Sequence, residues 1–166
     1  MQHAMNVFRR KTWVGADDLE TFLERNRAFA IRLAIQIVGD RDQAEDVAQE
    51  SLIRAYQSAD RLKRATQPLA WLRTIVVRRA ITCLQSRRPD SAQSEASIED
   101  RSTDRLAVRH VLDRLPPDQQ ALLALAHGEQ LSYRELAAAL DIPEGTVASR
   151  LNAARAAFRK LWEENE

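Results

Sequence analysis

Residues 132–158 read SYRELAAALDIPEGTVASRLNAARAAF, and this stretch decides the architecture of the C-terminal half. Ser132-x-x-Glu135 is a capping box, in which hydroxyl and carboxylate satisfy backbone N–H groups that the first helical turn leaves open. It starts a short helix containing Leu136, Ala137 and Leu140. Ile142-Pro143-Glu144-Gly145 is a tight turn, and Thr146 opens a second helix through Val147, Leu151, Ala154, Phe158 and Leu161. Two short helices separated by a few residues that include a glycine make a helix-turn-helix. Ala137, Ala138 and Ala139 supply the small residues needed where the helices cross. With Val147, Leu151, Ala154 and Phe158 turned inward, Thr146, Ser149, Arg150 and Ala153 form an outer stripe near the helix start, the part that enters the major groove in this motif. Arg150 suits a guanine edge, Thr146 and Ser149 suit a phosphate or base edge, and Arg155, Arg159 and Lys160 suit backbone phosphates. The same spacing also fits a plain helical hairpin with a solvated basic face, so the pattern alone leaves both readings open.

Upstream of this motif the chain is helical by the same criteria. Residues 105–115 carry Leu106, Val108, Val111, Leu112 and Leu115. Pro116-Pro117 breaks that helix, and Asp118 to His127 forms the next, with Gly128 as its stop. In the N-terminal half, Asp17-x-x-Glu20 resembles a capping box and predicts one helix from Asp17 to Val38, ended by Gly39. Asp40 and Gln43 cap a second helix whose apolar stripe is Ala44, Val47, Ala48, Ser51, Leu52, Ala55 and Tyr56. Pro68 opens a third, through Trp71, Leu72, Ile75, Val76, Ala80, Ile81 and Leu84. From Arg87 to about Thr103 the periodicity stops and Ser, Asp, Glu and Gln take over. That composition predicts a flexible acidic linker and relative motion of the parts it joins. The expected organisation is all-α: a basic tail over 1–16, a helical domain over 17–88, a linker over 89–104 and a second helical domain over 105–166.

Composition agrees with this class. Of 166 residues only four are glycine and five proline, so few breakers interrupt an Ala-, Leu-, Arg- and Glu-rich chain. No apolar run approaches the ~18–20 residues of a membrane span, and the first residues lack the apolar core of a secretory signal. A cytoplasmic setting is expected. Net charge is only +1, but the charges are blocked. Residues 40–50 hold five acids and one base, residues 61–88 hold eight bases and no acid, and residues 89–104 hold five acids and one base. Such blocks suit different partners on different faces.

The order of motifs adds a resemblance. Gly39-Asp40-x4-Glu45-Asp46-Val47-x-Gln49-Glu50, then Arg54-Ala55-Tyr56, Ala70-Trp71-Leu72-x2-Ile75, Leu115-Pro116 and Pro143-x-Gly145-Thr146-Val147-x-Ser149-Arg150-Leu151 follow one another over residues 19–162. In this the chain resembles a bacterial sigma factor of the extracytoplasmic-function (ECF) type, from the sigma-70 family. The resemblance implies two modules: region 2, which binds the clamp of the RNA polymerase β′ subunit and opens the −10 element, and region 4, which binds the β flap and reads the −35 element. Carried over by position, Asp46, Gln49 and Glu50 are the polymerase-clamp face. The segment Arg61 to Pro68 is the loop that captures a flipped −10 base. Arg61, Lys63, Arg64, Trp71, Arg78 and Arg79 make the −10 binding and melting surface, and Thr146, Ser149, Arg150 and Arg155 make the −35 surface. An anti-sigma factor joins core polymerase and promoter DNA as an expected partner.

Physical chemistry supports part of this independently. Holding unstacked single strand takes basic grooves with aromatic platforms, and the acid-free stretch 61–88 holds one aromatic, Trp71. Beside Leu72, Ile75 and Val76, that indole also reads as a core residue, and a partly buried ring serves both roles. The chain departs from the family wording at Val77-Arg78-Arg79 and Thr82, where Ala-Arg-Asn and a later Asp are common. It departs again over Lys63 to Leu69, and at Ala148 and Ala153, where many members carry Lys or Arg and grip phosphate more firmly.

Other functions fit less well. His3, His110 and His127 lack metal-ligand spacing, Cys83 stands among apolar neighbours with no adjacent base, and no Gly-rich phosphate loop occurs. Neither an enzyme nor a cofactor or metal site is expected. The remaining alternative is a helix-turn-helix repressor or activator that binds operator DNA without polymerase.

Overall fold

The computed structural model describes residues 16–87 and 103–164. Among them the regular structure is all helix: α1 (Ala16–Arg25), α2 (Arg27–Val38), α3 (Arg41–Gln57), α4 (Ala59–Arg64), α5 (Pro68–Ser86), α6 (Thr103–Asp113), α7 (Pro117–Gly128), α8 (Tyr133–Leu140) and α9 (Glu144–Glu163). The basic tail, the Asp17 side chain and most of the expected linker lie outside the described residues. The linker's expected last residues, 103 and 104, already belong to α6.

The N-terminal half is built on α2, α3 and α5. Helix α2 buries Ala30, Leu33, Ala34, Ile37 and Val38 and stops at Gly39, whose φ of 79° is the left-handed value cheapest for glycine. Asp40 then caps α3, its Oδ1 accepting from the Gln43 backbone N–H at 2.8 Å. Helix α3 turns small residues inward, with Ala44, Ala48, Ser51 and Ala55 beside Val47. Helix axes can approach closely there, and the buried Ser51 hydroxyl is satisfied by donating to Val47 O at 2.6 Å. Helix α5 starts with Pro68 at its first position and buries Leu72, Val76, Val77, Ala80 and Leu84.

Two expectations are corrected in this half. The single helix expected from Asp17 to Val38 is two: Asn26, at φ −100° and ψ 5°, interrupts it, and its amide Nδ2 donates to Phe22 O at 2.7 Å. Asparagine competes for nearby backbone acceptors in this way and so favours helix ends. The loop expected over Arg61 to Pro68 is helical up to Arg64, since α4 occupies Ala59–Arg64 and only residues 65–67 remain outside helices.

In the C-terminal half the capping box forms as expected. Glu135 N donates to Ser132 Oγ at 3.3 Å, and Ser132 N donates to Glu135 Oε2 at 3.0 Å. Helix α7 begins at Pro117 and includes Gly128 as its last residue, one position beyond the expected stop on each side. Its buried Gln120 donates to Leu115 O at 2.8 Å, bridging the Pro116 turn. Helix α9 begins two residues before Thr146 and buries Val147, Leu151 and Ala154. Phe158 is half-buried and stacks on Trp162 at 5.8 Å between ring centroids.

The halves pack on each other. Helix α7 lies against α2 and α5, and α8 lies against α5. One buried apolar cluster runs through both halves, from Leu19 and Leu33 through Leu72 and Val76 to Leu125, Leu136 and Leu151. The sequence-based picture of two parts free to move relative to each other did not include this contact.

Candidate nucleic-acid interface

Three surfaces carry the residues singled out from the sequence. The first is the outer face of α3. Asp46 and Gln49 are exposed and line, with Arg27, Ile31 and Tyr56, an open groove of about 840 Å³ between α2 and α3. Glu50 turns instead toward α5 and pairs with Arg79. The hydrogen bond from Arg79 holds the Glu50 carboxyl below the usual glutamate range, and the same bond pushes the Arg79 guanidinium further up. Glu50 and Arg79, assigned to two different faces from the sequence, therefore meet. Tyr56, placed in the buried stripe by its spacing, is 53% exposed, and Ile53 is 49% exposed. Both line the groove. Ile53 was missed, although an apolar residue standing outside the inward stripe is itself a signal of a contact surface.

The second surface runs from α4 into α5. Arg61 and Arg64 are exposed, and Arg64 Nε donates to Asp60 O at 3.0 Å. The side chain of Lys63 lies outside the described residues. Trp71, in the first turn of α5, is half-buried and packs against the core, consistent with an indole that both anchors and remains reachable. Arg78 is exposed on the next turns but lies 3.0 Å from Asp141 at the end of α8. Arg73, which the sequence reading passed over, is nearly covered and stands 3.7 Å from Glu135. Cys83 is half-buried, and burial raises its thiol pKa, as suits a packed and unreactive side chain.

The third surface is the outer face of α9. Ser149, Arg150 and Ala153 are exposed, as the stripe requires, and Arg155 is exposed further along the helix. Thr146 is half-buried, and its hydroxyl donates to Pro143 O at 2.8 Å, while Ser149 Oγ donates to Thr146 O at 2.9 Å. Both hydroxyls thus brace the helix start. Asn152 is exposed one turn beyond Ser149 and joins the stripe, although the sequence reading did not name it. The tight turn into α9 is fixed by Asp141, which holds φ at 57°, a conformation asparagine and aspartate tolerate better than most residues.

Comparison with known proteins places this geometry. Residues 22–89 match Sigma-70 region 2, and residues 105–158 match Sigma-70, region 4. The chain is 32% identical over 154 residues to the ECF RNA polymerase sigma factor EcfG of Rhodopseudomonas palustris, covering 87% of this chain and 83% of that one. The chain belongs to the ECF sigma factors. It is similarly 31% identical over 158 residues to the sigma factor SigL of Mycobacterium tuberculosis, covering 88% of this chain and 89% of the other. Two solved structures share the fold: the sigma factor RpoE of Bartonella quintana, in complex with the anti-sigma factor NepR, at 23% identity, TM-score 0.63 and coverage of 91% and 100% of the two chains, and CnrH, in complex with the cytosolic domain of CnrY, at 18% identity, TM-score 0.65 and 90% coverage of each. As a sigma factor it directs core RNA polymerase to promoter DNA, and the operator-binding repressor is set aside. No helix among its described residues is long and apolar enough to cross a membrane.

Proposed function

We propose a division of labour over this sigma factor. Asp46 and Gln49, with Ile53 and Tyr56 beside them and Glu50 at the margin, dock on the β′ clamp. Arg61, Lys63 and Arg64, followed by Trp71, Arg78 and Arg79 on α5, capture and hold the opened −10 strand. Arg150, flanked by Thr146 and Ser149, reads the −35 element, Arg155 grips its backbone, and the C-terminal domain also meets the β flap. Residues 17–88 and 105–166 are the two working units. Catalysis belongs to the polymerase, and the protein acts in the cytoplasm. An anti-sigma factor is a further partner, a reading supported by the anti-sigma complexes of the two structural relatives.

The observation that carries this reading is the contrasting character of two of the surfaces. The α2–α3 groove mixes carboxylates with exposed apolar side chains, as a protein interface does, while the outer face of α9 offers an arginine, hydroxyls and small residues at a helix start. Titration of labelled protein with core polymerase tests the first assignment. Asp46→Ala with Gln49→Ala should weaken core binding at least tenfold with helicity unchanged. Unaltered affinity would contradict it.

A further inference from the structure

The polar side chains on the outer face of α9 divide by what already holds them. The Thr146 hydroxyl donates to Pro143 O at 2.8 Å, and the Ser149 hydroxyl donates to Thr146 O at 2.9 Å. Both donors are thus occupied at the helix start. The side-chain amide of Asn152, exposed one turn further on, makes no hydrogen bond to any described residue. It keeps a free acceptor, Oδ1, and free donors on Nδ2, side by side on one planar group. Arg150 is also exposed and unpaired among the described residues, but its guanidinium offers donors alone.

Register places this amide well for an outside partner. The buried Val147, Leu151 and Ala154 fix the inward direction of α9. With a turn of about 100° per residue, Ser149 points almost straight outward, Asn152 lies roughly 50° to one side of it and Arg150 roughly 110° to the other. Asn152 therefore stands nearer the middle of the outer face than Arg150, whose longer side chain reaches round from the flank. Its neighbours on that face, Ser149 three residues before and Ala156 four residues after, are short and exposed, so the amide is not overtopped. Gly145, seven residues before Asn152 on the same side, adds to the clearance. Its φ is not positive, and a Cβ there would meet nothing within 4 Å. Neither backbone conformation nor packing among the described residues calls for glycine at this helical position, whereas close approach of a ligand does.

We propose that Asn152 is a specificity-determining residue that selects an adenine in the −35 element, at a base pair separate from the one met by Arg150. The inference rests on the reading of α9 as the −35 helix and names a base which that reading leaves open. In the major groove an adenine edge presents one donor and one acceptor. Its N6–H donates to Asn152 Oδ1, and Asn152 Nδ2–H donates to its N7. A guanine in the same place presents two acceptors, N7 and O6, and leaves Oδ1 without a proton to accept. Arg150, with donors alone, has the opposite preference. The two side chains leave α9 about 160° apart across the outer face, which directs them to different base pairs. One helix start thus carries two selections of opposite kind, guanine from the flank and adenine from the middle of the face.

The test is transcription by the full chain with core polymerase over all single-base variants of the −35 element, for the parent, Asn152→Ala, Asn152→Asp and Arg150→Ala. Alanine at an exposed position inside a helix keeps α9 intact, since it is the best helix former. The parent should prefer adenine at one position by at least about fivefold, the low end for a bidentate pair. Asn152→Ala should abolish that preference and leave unchanged the position that Arg150→Ala flattens. Asn152→Asp, now an acceptor only, should move the preference to cytosine on the same strand. An Asn152→Ala protein that keeps every preference of the parent overturns the inference. So does uniform weakening at all positions, or flattening at a position where the parent prefers another base. A parent indifferent to every base of the −35 element contradicts the reading of α9 itself, and the role of Asn152 falls with it. Sequence preference that responds to Arg150→Ala and ignores both Asn152 variants overturns the role of Asn152 alone.

Discussion

Glu50 of α3 and Arg79 of α5 form an ion pair on the flank of the N-terminal core. The pair ties the edge of the proposed polymerase face to the proposed strand-opening helix. Glu50 should therefore behave differently from its exposed neighbours Asp46 and Gln49. Glu50→Gln is expected to cost about 0.2–1 kcal/mol in thermal or denaturant unfolding. Asp46→Ala and Gln49→Ala should leave stability within about 0.5 kcal/mol while weakening core binding. Equal stability losses at all three positions would contradict the distinction.

Acid sensitivity follows from the same pair and from the α8 cap. Glu50 is held below the usual glutamate range by Arg79, and Glu135 is held below it by its hydrogen bonds from Ser132, with Arg73 adding to the effect. A depressed folded pKa means that the stabilisation is fully present above the unfolded value of about 4.3 and is lost as pH falls through the lower folded value. Unfolding free energy measured between pH 6 and 3 should therefore decline at the acid end, and Glu50→Gln with Glu135→Gln should flatten that decline. An unchanged slope in the double variant contradicts the assignment.

The α8 cap offers a cleaner stability test. Ser132→Ala removes the acceptor for Glu135 N and is expected to destabilise by about 1 kcal/mol, within the usual 0.5–2 range for lost N-caps. Ser132→Thr should recover most of that loss, because threonine keeps the hydroxyl that accepts from Glu135 N and donates to the Glu135 carboxylate. A denaturant midpoint unaffected by Ser132→Ala would show that the cap contributes nothing to α8.

Much of this was legible in the chain itself. The Ser132–Glu135 box, the left-handed Gly39, the Asp40 cap and the Pro68 start are local signals, decided by residues within four positions of one another, and each forms as read. The break at Asn26 was harder, because apolar periodicity runs through it and one amide bond to Phe22 O decides the matter. Tyr56 was misplaced because a helical stripe shows which side chains align without showing how wide the partner is. The acidic and basic blocks were read as faces for different partners. Three carboxylates of the C-terminal half also stand against arginines on α5 or at its C-terminal cap, a pairing between residues 26 to 63 positions apart that no local pattern encodes. On α9, the exposure of Ser149, Arg150 and Ala153 was legible from the inward spacing of Val147, Leu151 and Ala154, whereas Asn152 carries no periodic signal and emerged only from its exposure.

Substitutions at Trp71 and Arg78, in their proposed strand-opening role, are expected to separate recruitment from strand opening. Arg78→Ala should slow open-complex formation on a duplex promoter more than on a template already mismatched at the −10 element, because only the duplex must be melted. Trp71→Ala should do the same. Its half-buried ring also packs on the core, so its unfolding cost should stay below the roughly 3–5 kcal/mol of a fully buried aromatic. Equal defects of Arg78→Ala on both templates would place Arg78 in general phosphate binding.

The central claim is that α9 reads promoter sequence as part of the polymerase complex, with Arg150 as its base contact. The most direct measurement is transcription by reconstituted core polymerase over a library of −35 variants, comparing the parent with Arg150→Ala at two salt concentrations. A base contact predicts a loss of about 1–3 kcal/mol on the preferred element and a flattened preference at one position, with the other positions unchanged. If Arg150→Ala keeps the parent's preference at every position, or weakens all sequences uniformly with a salt slope reduced by about one, Arg150 does not read bases and the claim fails.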